Sequence, residues 1–287
     1  MEGKLKDKTL CVIGLGLIGG SLALESKNKN LFKNIIGVDN NESHVEEALE
    51  LKLIDEVIPF DEAIAKADII ALAIPVTAII KVLPRILDKI QNNQVVFDLG
   101  STKESILKIA DNHPNGNRFI PAHPMAGTEY SGPQAAKTGL YEGKVCIICE
   151  SKKQDESARM IVESLFEKLD MQLVTMNAEA HDTHVAYVSH ISHITSFVLA
   201  TTVLEKEKST KAIFDLASGG FRSTVRLAKS PPTMWLPIFK ENKDNILEVL
   251  DTYLEQMQSF REMINNDDEE GLLEKMKQGN EIRKILG

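Results

Sequence analysis

The chain has 287 residues, and its 33 lysines and arginines against 42 aspartates and glutamates give a formal net charge of −9 at pH 7. A hydrophobic fraction of 43% and a charged fraction of 26% are typical of soluble globular proteins, and the length suits one large domain or two ordinary ones. The acidic excess is spread over both halves without a polybasic segment. We therefore expect neither a nucleic acid nor a membrane as a partner.

Short apolar or β-branched runs alternate with amphipathic segments up to about Thr175. This alternation, with continuously apolar strands, predicts a parallel sheet covered by helices on both faces. The predicted strands are Thr9–Ile13, Ile35–Asp39, Ile69–Ala73, Val95–Asp98, Phe119–Ala122, Val145–Cys149 and Leu173–Thr175, and the predicted helices are Leu17–Lys29, Glu42–Leu51, Thr77–Ile90, Lys103–Asp111 and Asp155–Leu169.

From Ala178 onward the strand pattern disappears. We therefore predict two domains: an α/β, Rossmann-type dinucleotide-binding domain over residues 1–176, followed by an all-α domain over residues 177–287. The predicted helices of the second domain are Ala178–Lys208, Thr210–Ala217, Phe221–Ala228, Thr233–Ile264 and Asp268–Leu286.

An apolar stripe with heptad-like spacing runs along the long helix within Thr233–Ile264. Such a stripe packs either inside its own bundle or against a second subunit. A helical domain of this size buries it well by pairing with a copy of itself, so we favour a homodimer. The stripe consists of Ile246, Leu250, Tyr253, Met257, Phe260 and Ile264.

The three cysteines are too few for a disulfide scaffold and predict a reducing compartment. The first eight residues lack the pattern of a signal peptide, so we expect a cytoplasmic location. Cys146 and Cys149 form a C-x-x-C, which is a candidate for redox or metal chemistry. Residues three apart on a strand face opposite sides, however, so the pattern favours a structural role.

A glycine-rich turn follows the first predicted strand, with Gly14, Gly16 and Gly19 spaced as G-x-G-x-x-G. In this context the first glycine permits a tight turn, the second lets a pyrophosphate approach, and the third allows close helix–strand packing. Asp39 ends the next predicted strand and would bind a ribose diol while repelling a 2′-phosphate. The pattern therefore predicts NAD rather than NADP.

Polar residues follow two later strands, where ligands of open α/β sheets bind. His123 lies at such a strand end before a proline, which favours a general base, and an ordinary pKa near 6.5 suits that role. Ser101, at a neighbouring strand end, is placed to share a hydrogen bond with His123 or to orient the reacting hydroxyl.

Histidines are concentrated where the helical region begins. At 100° per residue, His184 and His193 lie about 180° apart, so His181, His184, His190 and His193 cannot all converge on one ion. A site of two histidines and a distant carboxylate stays open as an alternative, but we predict no metal site. We expect His190 and His193 to mark a helix face turned toward the active site, with His181 and Asp182 acting near the helix start.

Two arginines follow a Gly-Gly turn at residues 219 and 220. Arg222 and Arg226 are four apart on a predicted helix, where they share a face and can clamp a carboxylate.

The chain resembles the prephenate dehydrogenase family over almost its whole length. The resemblance rests on the glycine turn, on the segments Asp98–Lys103 and His123–Glu129, on the histidine block, and on Gly220–Arg226 with Met234 and Trp235. It implies NAD-dependent oxidative decarboxylation without a metal, and we expect no fused chorismate mutase or regulatory module.

The resemblance also implies roles for individual residues. His123 matches the family's base and Ser101 its hydrogen-bonding partner, while Arg226, with Arg222 nearby, matches the group that binds the ring carboxylate. His193 would line the side-chain pocket, and Trp235 would reach over from a second subunit. Thr128 and Glu129 would shape the entrance, and the cofactor-binding set would comprise Gly14, Gly16, Leu17, Ile18, Gly19, Asp39, Pro75 and Ser101.

Three alternatives remain at this point. The substrate could be arogenate instead of prephenate, although His193 can hydrogen-bond a keto acid without adding a carboxylate. The chain could be a non-catalytic nucleotide sensor, although a sensor needs no base. A hydroxyacid dehydrogenase of similar build would carry a lysine base on the first long helix of the second domain, and Ala178–Leu204 has none.

Overall fold

The computed structural model describes residues 5–210 and 213–286, and in these residues eight strands form one sheet. The strand order is β3-β2-β1-β4-β5-β6-β7-β8. From β1 the chain adds β2 and β3 on one side, and it then crosses over to add β4 to β8 on the other side of β1. The strands are β1 (Thr9–Ile13), β2 (Asn34–Val38), β3 (Glu56–Val57), β4 (Ile69–Leu72), β5 (Val95–Asp98), β6 (Phe119–Pro124), β7 (Val145–Cys149) and β8 (Gln172–Met176).

Six neighbouring strands, β1 to β6, are parallel, but β6 pairs antiparallel with β7 and β8 runs parallel to β7. The expectation of an entirely parallel sheet is therefore wrong at this edge. A parallel connection needs a crossover, usually a helix, whereas the β6–β7 connection has only a short 3₁₀ turn at Pro133–Ala135. In the antiparallel register His123 pairs with Ile147.

Helices cover both faces of the sheet. Alternate residues of each strand point to opposite faces, so Val12 belongs to one buried cluster and Cys11 to the other. The short β3 and the seven-residue α3 were not predicted, because neither is long enough to show a periodic pattern. The helices are α1 (Leu17–Asn28), α2 (Glu42–Glu50), α3 (Phe60–Lys66), α4 (Val76–Lys89), α5 (Glu104–Asn112) and α6 (Glu156–Lys168).

After β8 the described chain is helical, as predicted, but the helices are more interrupted than the sequence pattern indicates. The first predicted helix contains a π-helical segment at Ala186–His190, and the third ends at Thr224, before a 3₁₀ turn at Arg226–Lys229. The predicted helix Thr210–Ala217 includes residues 211 and 212, which lie outside the described residues; Phe214–Leu216 is a 3₁₀ turn. The helices are α7 (Ala178–Val185), α8 (Ile191–Ser209), α9 (Gly219–Thr224) and α10 (Pro232–Glu241).

A second compact unit begins at Lys243, so the predicted helix Thr233–Ile264 is divided at Asn242. The unit contains α11 (Lys243–Asn265), α12 (Glu269–Asn280) and α13 (Arg283–Leu286). On α11 the predicted stripe is exposed toward its C-terminal end, with Met257 52% and Ile264 63% exposed. The predicted domain boundary between residues 176 and 177 stays a prediction, although the last strand does end at Met176.

The segment Ala178–Ser209, which comprises α7, the π-helical segment and α8, is apolar and little buried. Its most apolar window has a mean hydropathy of 1.2, so by length and composition alone it could cross a membrane. It was not predicted as a membrane span, because the serines, threonines and histidines within its uncharged stretch from Thr183 to Leu204 keep its mean hydropathy modest. An apolar helix with this much open surface needs a covering surface of some kind.

Candidate active site

The glycine turn between β1 and α1 is shaped by two close approaches of the backbone. Gly14 has φ +99°, and a Cβ on it would lie 2.4 Å from the carbonyl oxygen of Ala73. A Cβ on Gly19 would lie 1.9 Å from the carbonyl oxygen of Gly14. Both positions therefore require glycine for packing, as the sequence predicts.

Gly16 is different, because no heavy atom lies within 4 Å of the place that its Cβ would take. It is the N-cap of α1 and makes no side-chain capping bond. The first N–H groups of a helix, here those of Leu17, Ile18 and Gly19, have no intrahelical partner and carry partial positive charge. This open, positively polarised helix start fits the pyrophosphate of a dinucleotide.

Asp39 follows β2 and is held in place by two backbone groups. The Leu15 N–H donates to Oδ2 at 2.8 Å, and the Asn41 N–H donates to Oδ1 at 2.9 Å. The first of these bonds ties the carboxylate to the glycine turn, so both would face the same ligand. Pro75 follows β4, which pairs with β1 on the side away from β2, and it is the exposed N-cap residue of α4.

A buried ion pair lies where β5 ends. Lys103 Nζ contacts Asp98 Oδ2, and both side chains are fully buried. The N–H groups of Gly100 and Ala122 also donate to Asp98, at 2.9 and 3.3 Å. Burial raises the pKa of Asp98, and the adjacent ammonium group opposes that rise. This ion pair was not predicted from the sequence.

His123 lies on β6 with its ring buried and paired to a second histidine. Its Nδ1 is 2.8 Å from Nε2 of His181, whose Nδ1 is 2.7 Å from Oδ1 of Asp182. Burial lowers the pKa of His123 well below 6.5, and the nearby His181, Lys103 and His190 act in the same direction. The expectation of an ordinary pKa is therefore wrong, because the ring is less solvated than a strand-end position suggests.

No hydrogen bond joins Ser101 to His123, whose Nδ1 is paired with His181 instead. Ser101 is half-buried in the turn between β5 and α5. The predicted pairing of the two side chains is thus absent here, and a role for Ser101 toward the substrate or cofactor stays a prediction.

Asp182 connects this histidine pair to the start of α5. Its Oδ1 accepts from the Lys103 N–H at 2.8 Å, and its Oδ2 accepts from the Glu104 N–H at 3.0 Å. A carboxylate at a helix N-terminus is favourable, because it satisfies free N–H groups and opposes the helix dipole. Asp182 thereby fixes both His181 and the segment that carries Ser101.

His190 and His193 share a face, as predicted, and that face contacts Trp235. The ring of His193 stacks on Trp235 at a centroid distance of 3.6 Å, and His190 meets it edge-on at 5.9 Å. Burial lowers the pKa of His190 to about 4. The Asn242 amide donates to the carbonyl oxygen of Asp182 at 2.7 Å and lies 3.1 Å from Nδ1 of His190.

Trp235 thus packs against histidines of its own chain, and its predicted reach into a second subunit's site stays a prediction. It contacts His193 of its own chain, and its indole Nε1 is buried without a hydrogen-bond partner among the described residues. His184 is exposed on α7, away from the buried histidines. Within residues 5–210 and 213–286, no group of three or more metal-ligating side chains is found.

Arg226 lies near the candidate entrance, where its Nη1 is 3.3 Å from Oε2 of Glu129. Buried Ser196 on α8 holds the arginine's segment, because its hydroxyl donates to the Thr224 carbonyl oxygen and accepts from the Ala228 N–H.

Arg222 does not share a continuous helix face with Arg226, since α9 ends between them. Arg222 is exposed and has no ion pair in the described part of the chain. Thr128 lies beside Glu129, and its Oγ1 accepts from the Tyr130 N–H at 3.3 Å.

The C-x-x-C cysteines are buried free thiols. Burial raises the pKa of Cys149 to about 12 and that of Cys146 further. Thiols in this state are poor nucleophiles and poor ligands, in agreement with the predicted structural role.

Two models of known protein families match this chain. The family model described as "Prephenate dehydrogenase, nucleotide-binding domain" matches residues 22–175, and "Prephenate dehydrogenase, dimerization domain" matches residues 177–278. Together the two models span most of the chain.

Individual relatives are similar over nearly the full length. A prephenate dehydrogenase from Bacillus subtilis is 32% identical over 99% of this chain and 77% of that protein, and a cyclohexadienyl dehydrogenase from Zymomonas mobilis is 31% identical over 97% and 96%. The crystal structure of prephenate dehydrogenase from Aquifex aeolicus with hydroxyphenyl propionate and NAD⁺ superposes with a TM-score of 0.91 at 29% identity, covering 99% of this chain and 100% of that one. This chain belongs to the prephenate dehydrogenase family.

Proposed function

We propose that this chain is a prephenate dehydrogenase, which converts prephenate to 4-hydroxyphenylpyruvate in tyrosine biosynthesis with NAD as the cofactor. The observation that carries the proposal is the buried His123, held by His181 on the strand-end edge where the glycine turn and Asp39 also lie. The family is one of NAD-dependent dehydrogenases, and the relatives include prephenate dehydrogenases of about 30% identity over nearly the whole chain.

The residues for holding the cofactor are those of the glycine turn and its surroundings. The free N–H groups at the start of α1 would bind the pyrophosphate, and the fixed carboxylate of Asp39 would accept hydrogen bonds from the ribose hydroxyls. When bound, NAD supplies the acceptor for the hydride. Since Asp39 would face a 2′-phosphate as a like charge, the site favours NAD over NADP.

In the reaction His123 takes the proton of the C4 hydroxyl of prephenate while the hydride leaves C4. The ring carboxylate then leaves as carbon dioxide, the ring becomes aromatic, and the product oxygen regains a proton. Aromatisation drives the loss of carbon dioxide, so the chemistry places no demand on a metal. A neutral imidazole is the form that accepts a proton, and the lowered pKa of His123 keeps it in that form.

The substrate carries two carboxylates, and the positive groups near the site are few. Arg226 binds the ring carboxylate in exchange for Glu129, with Arg222 close by in sequence. His193, with Trp235 stacked on it, lines the pocket for the pyruvyl side chain. Thr128 and Glu129 lie at the entrance.

The test is the appearance of NADH when the purified protein is given prephenate or arogenate, each with NAD or NADP. We expect turnover with prephenate and NAD, and at most a small rate with arogenate, because the side-chain pocket offers an imidazole rather than a carboxylate to an ammonium group. Faster turnover with arogenate would replace the proposed substrate. No turnover with any combination would overturn the proposal in favour of a nucleotide-binding role.

We also propose that the protein is a cytoplasmic homodimer formed through its helical region. The supporting observations are the match to a family dimerization domain, the apolar exposed segment Ala178–Ser209, and the exposed stripe of α11. A second copy of the chain would cover these apolar surfaces without a membrane. The three free, buried thiols suit a reducing compartment.

A further inference from the structure

The hydrogen bonds behind His123 determine which of its ring nitrogens carries a proton. Both carboxylate oxygens of Asp182 accept backbone N–H groups, Oδ1 from Lys103 and Oδ2 from Glu104, so Asp182 acts as a hydrogen-bond acceptor at each oxygen. The 2.7 Å contact between Asp182 Oδ1 and His181 Nδ1 therefore has the proton on Nδ1 of His181. His181 is fully buried, and burial lowers its pKa although Asp182 opposes this, so the ring is neutral near pH 7.

A neutral histidine protonated on Nδ1 has a lone pair on Nε2. That nitrogen lies 2.8 Å from Nδ1 of His123, so His123 must donate the proton in this contact. We propose that His181, oriented by Asp182, is a positioning residue that holds His123 in the tautomer with its proton on Nδ1 and its lone pair on Nε2. The kinetic consequence rests on the proposed function, in which His123 is the base, whereas the tautomer itself does not.

The opposite tautomer of His123 is disfavoured by its surroundings. It would place two lone pairs against each other unless His181 became doubly protonated. Burial, and then the nearby ammonium group of Lys103, lower the pKa of His181, and they outweigh Asp182 and Asp98, which favour its protonation. The other charged or titratable groups near the pair are Asp98, Asp182, His190 and the thiol of Cys146, which interacts with the His123 backbone. The two carboxylates are already engaged by Lys103 and by backbone N–H groups.

The hydrogen bonds of Asp182 and His181 also fix the orientation of the His123 ring. Asp182 is bound to the start of α5 and follows His181 directly on α7, so the second imidazole is anchored to two elements. The ring of His123 meets that of His181 edge-on, with centroids 5.0 Å apart and planes at 66°. Nδ1 of His123 is thus hydrogen-bonded to His181, and within the described residues no side chain or backbone group bonds its Nε2.

The first experiment measures the tautomer without substrate. In protein labelled with ¹⁵N-histidine, long-range ¹H–¹⁵N correlation spectra distinguish protonated from unprotonated ring nitrogens, and the signals of His123 are those missing in His123→Asn. We expect His123 to be protonated on Nδ1 and unprotonated on Nε2 near pH 7. A His123 protonated on Nε2 in the wild-type protein overturns the proposal whatever the enzyme's activity.

The second experiment uses two substitutions of His181 that differ in what they retain. Asn places its amide near the Nδ1 position and can still bind Asp182, but it loses the acceptor for His123. Gln reaches the Nε2 position and keeps an acceptor oxygen there. We expect His181→Asn to lower kcat about 10- to 10⁴-fold with little change in KM for NAD, and His181→Gln to lose less than His181→Asn.

The same variants carry a signature that a merely structural role would not produce. In His181→Asn we expect the ring of His123 to populate the Nε2-protonated tautomer, and in His181→Gln we expect it to keep Nδ1 protonated. The matched control is His184→Asn, which changes an exposed histidine on the same helix and should leave kcat and the spectrum of His123 unchanged. Equal kcat in His181→Asn and wild type, with an unchanged tautomer, overturns the proposal.

The two proposals fail in different ways. If prephenate is not turned over but His123 shows the expected tautomer, the proposed function is wrong and the positioning role of His181 stands. If prephenate is turned over but the tautomer is reversed, the function stands and the role of His181 is wrong. If either His181 variant does not fold, the wild-type spectrum still decides the question.

Discussion

His123 is a base whose protonation is resisted by its surroundings. Because burial lowers its pKa below 6.5, the imidazole remains neutral at pH values where an exposed histidine is already largely protonated. We expect kcat/KM for prephenate to hold from neutral pH down past 6.5 and to decline only at more acidic pH, where His123 gains its proton. Initial rates across the acidic range, corrected with enzyme-free blanks, measure this, and half-maximal activity at or above pH 6.5 contradicts it.

Replacing His123 removes the base but not the cofactor site. We expect His123→Asn to fold and to lose about 10²–10⁴ in kcat, the usual contribution of a general base. The KM for NAD should change little, since the glycine turn and Asp39 are untouched. Steady-state rates with circular dichroism as the folding control check this expectation, and unchanged turnover would remove His123 from the role of base.

Arg226 is expected to act on substrate affinity rather than on the cofactor. Arg226→Ala removes the cation beside Glu129, so we expect the KM for prephenate to rise at least about tenfold, in line with the loss of a charge-assisted hydrogen bond. A suitable control is Arg159→Ala, which removes an arginine paired with Glu163 on α6. If Arg226→Ala weakens only NAD binding, the assignment to the ring carboxylate is wrong.

The sequence predicts which residues lie near the site better than it predicts their hydrogen-bond and ion-pair partners. His123 was predicted because it ends a strand, and strand ends can be found from a local apolar run. Its partner His181 lies 58 positions away, on a helix whose packing depends on the whole fold. The buried Asp98–Lys103 pair was missed for a similar reason, since a lysine five residues after an aspartate has no local pattern that indicates burial.

In the turn between β1 and α1, Gly19 is required for packing, whereas Gly16 leaves space for the cofactor. Gly19→Ala puts a methyl group against the Gly14 carbonyl, so we expect a loss of unfolding free energy on the order of 1–3 kcal/mol. Gly16→Ala meets open space, so we expect its stability to stay within about 1 kcal/mol of wild type, while the Kd for NAD rises at least about tenfold (about 1.4 kcal/mol).

Thermal or denaturant unfolding, together with titration of NAD, measures both glycine effects. The two variants serve as controls for each other, because they add the same methyl group three residues apart. A Gly16→Ala protein that binds NAD as wild type does would contradict the assignment of that glycine to the cofactor.

Elements were predicted well where they are long and periodic. β1, β5 and β7 have the predicted bounds, and the five sheet helices that were predicted agree to within one residue at each end. The reversal at β7 was missed because strand direction is not encoded in a strand's own residues but in the connection before it. The π-helical segment was missed because a helix-phase argument assumes 100° per residue throughout.

At the scale of the whole molecule, the net charge of −9 acts against binding any anion. Attraction of the cofactor's pyrophosphate and of the two substrate carboxylates must therefore be local, at the start of α1 and around Arg226. The negative electrostatic potential of the protein slows the approach of the anionic substrate and cofactor, and added salt screens this long-range repulsion.

The exposed stripe of α11 gives a prediction about assembly. We expect sedimentation equilibrium to yield about twice the chain mass of 31.8 kDa, and Met257→Glu to shift the protein toward monomer, because it buries a charge in an apolar contact. Gln256→Glu adds the same charge one position away from the stripe and should remain dimeric. A monomeric wild-type protein contradicts the expectation, and flotation with phospholipid vesicles would indicate that lipid covers the apolar helix instead.

The buried pair of Asp98 and Lys103 has an evolutionary consequence. Removing either charge leaves the other buried and unpaired, at a cost of about 3–5 kcal/mol, whereas replacing both with well-packed apolar residues is often neutral. A protein that has lost one of the two charges by mutation is strongly destabilised until the second charge is also replaced. The two positions are therefore expected to change together or to persist together, so that descent through single mutations keeps this pair in place even if stability alone does not require it.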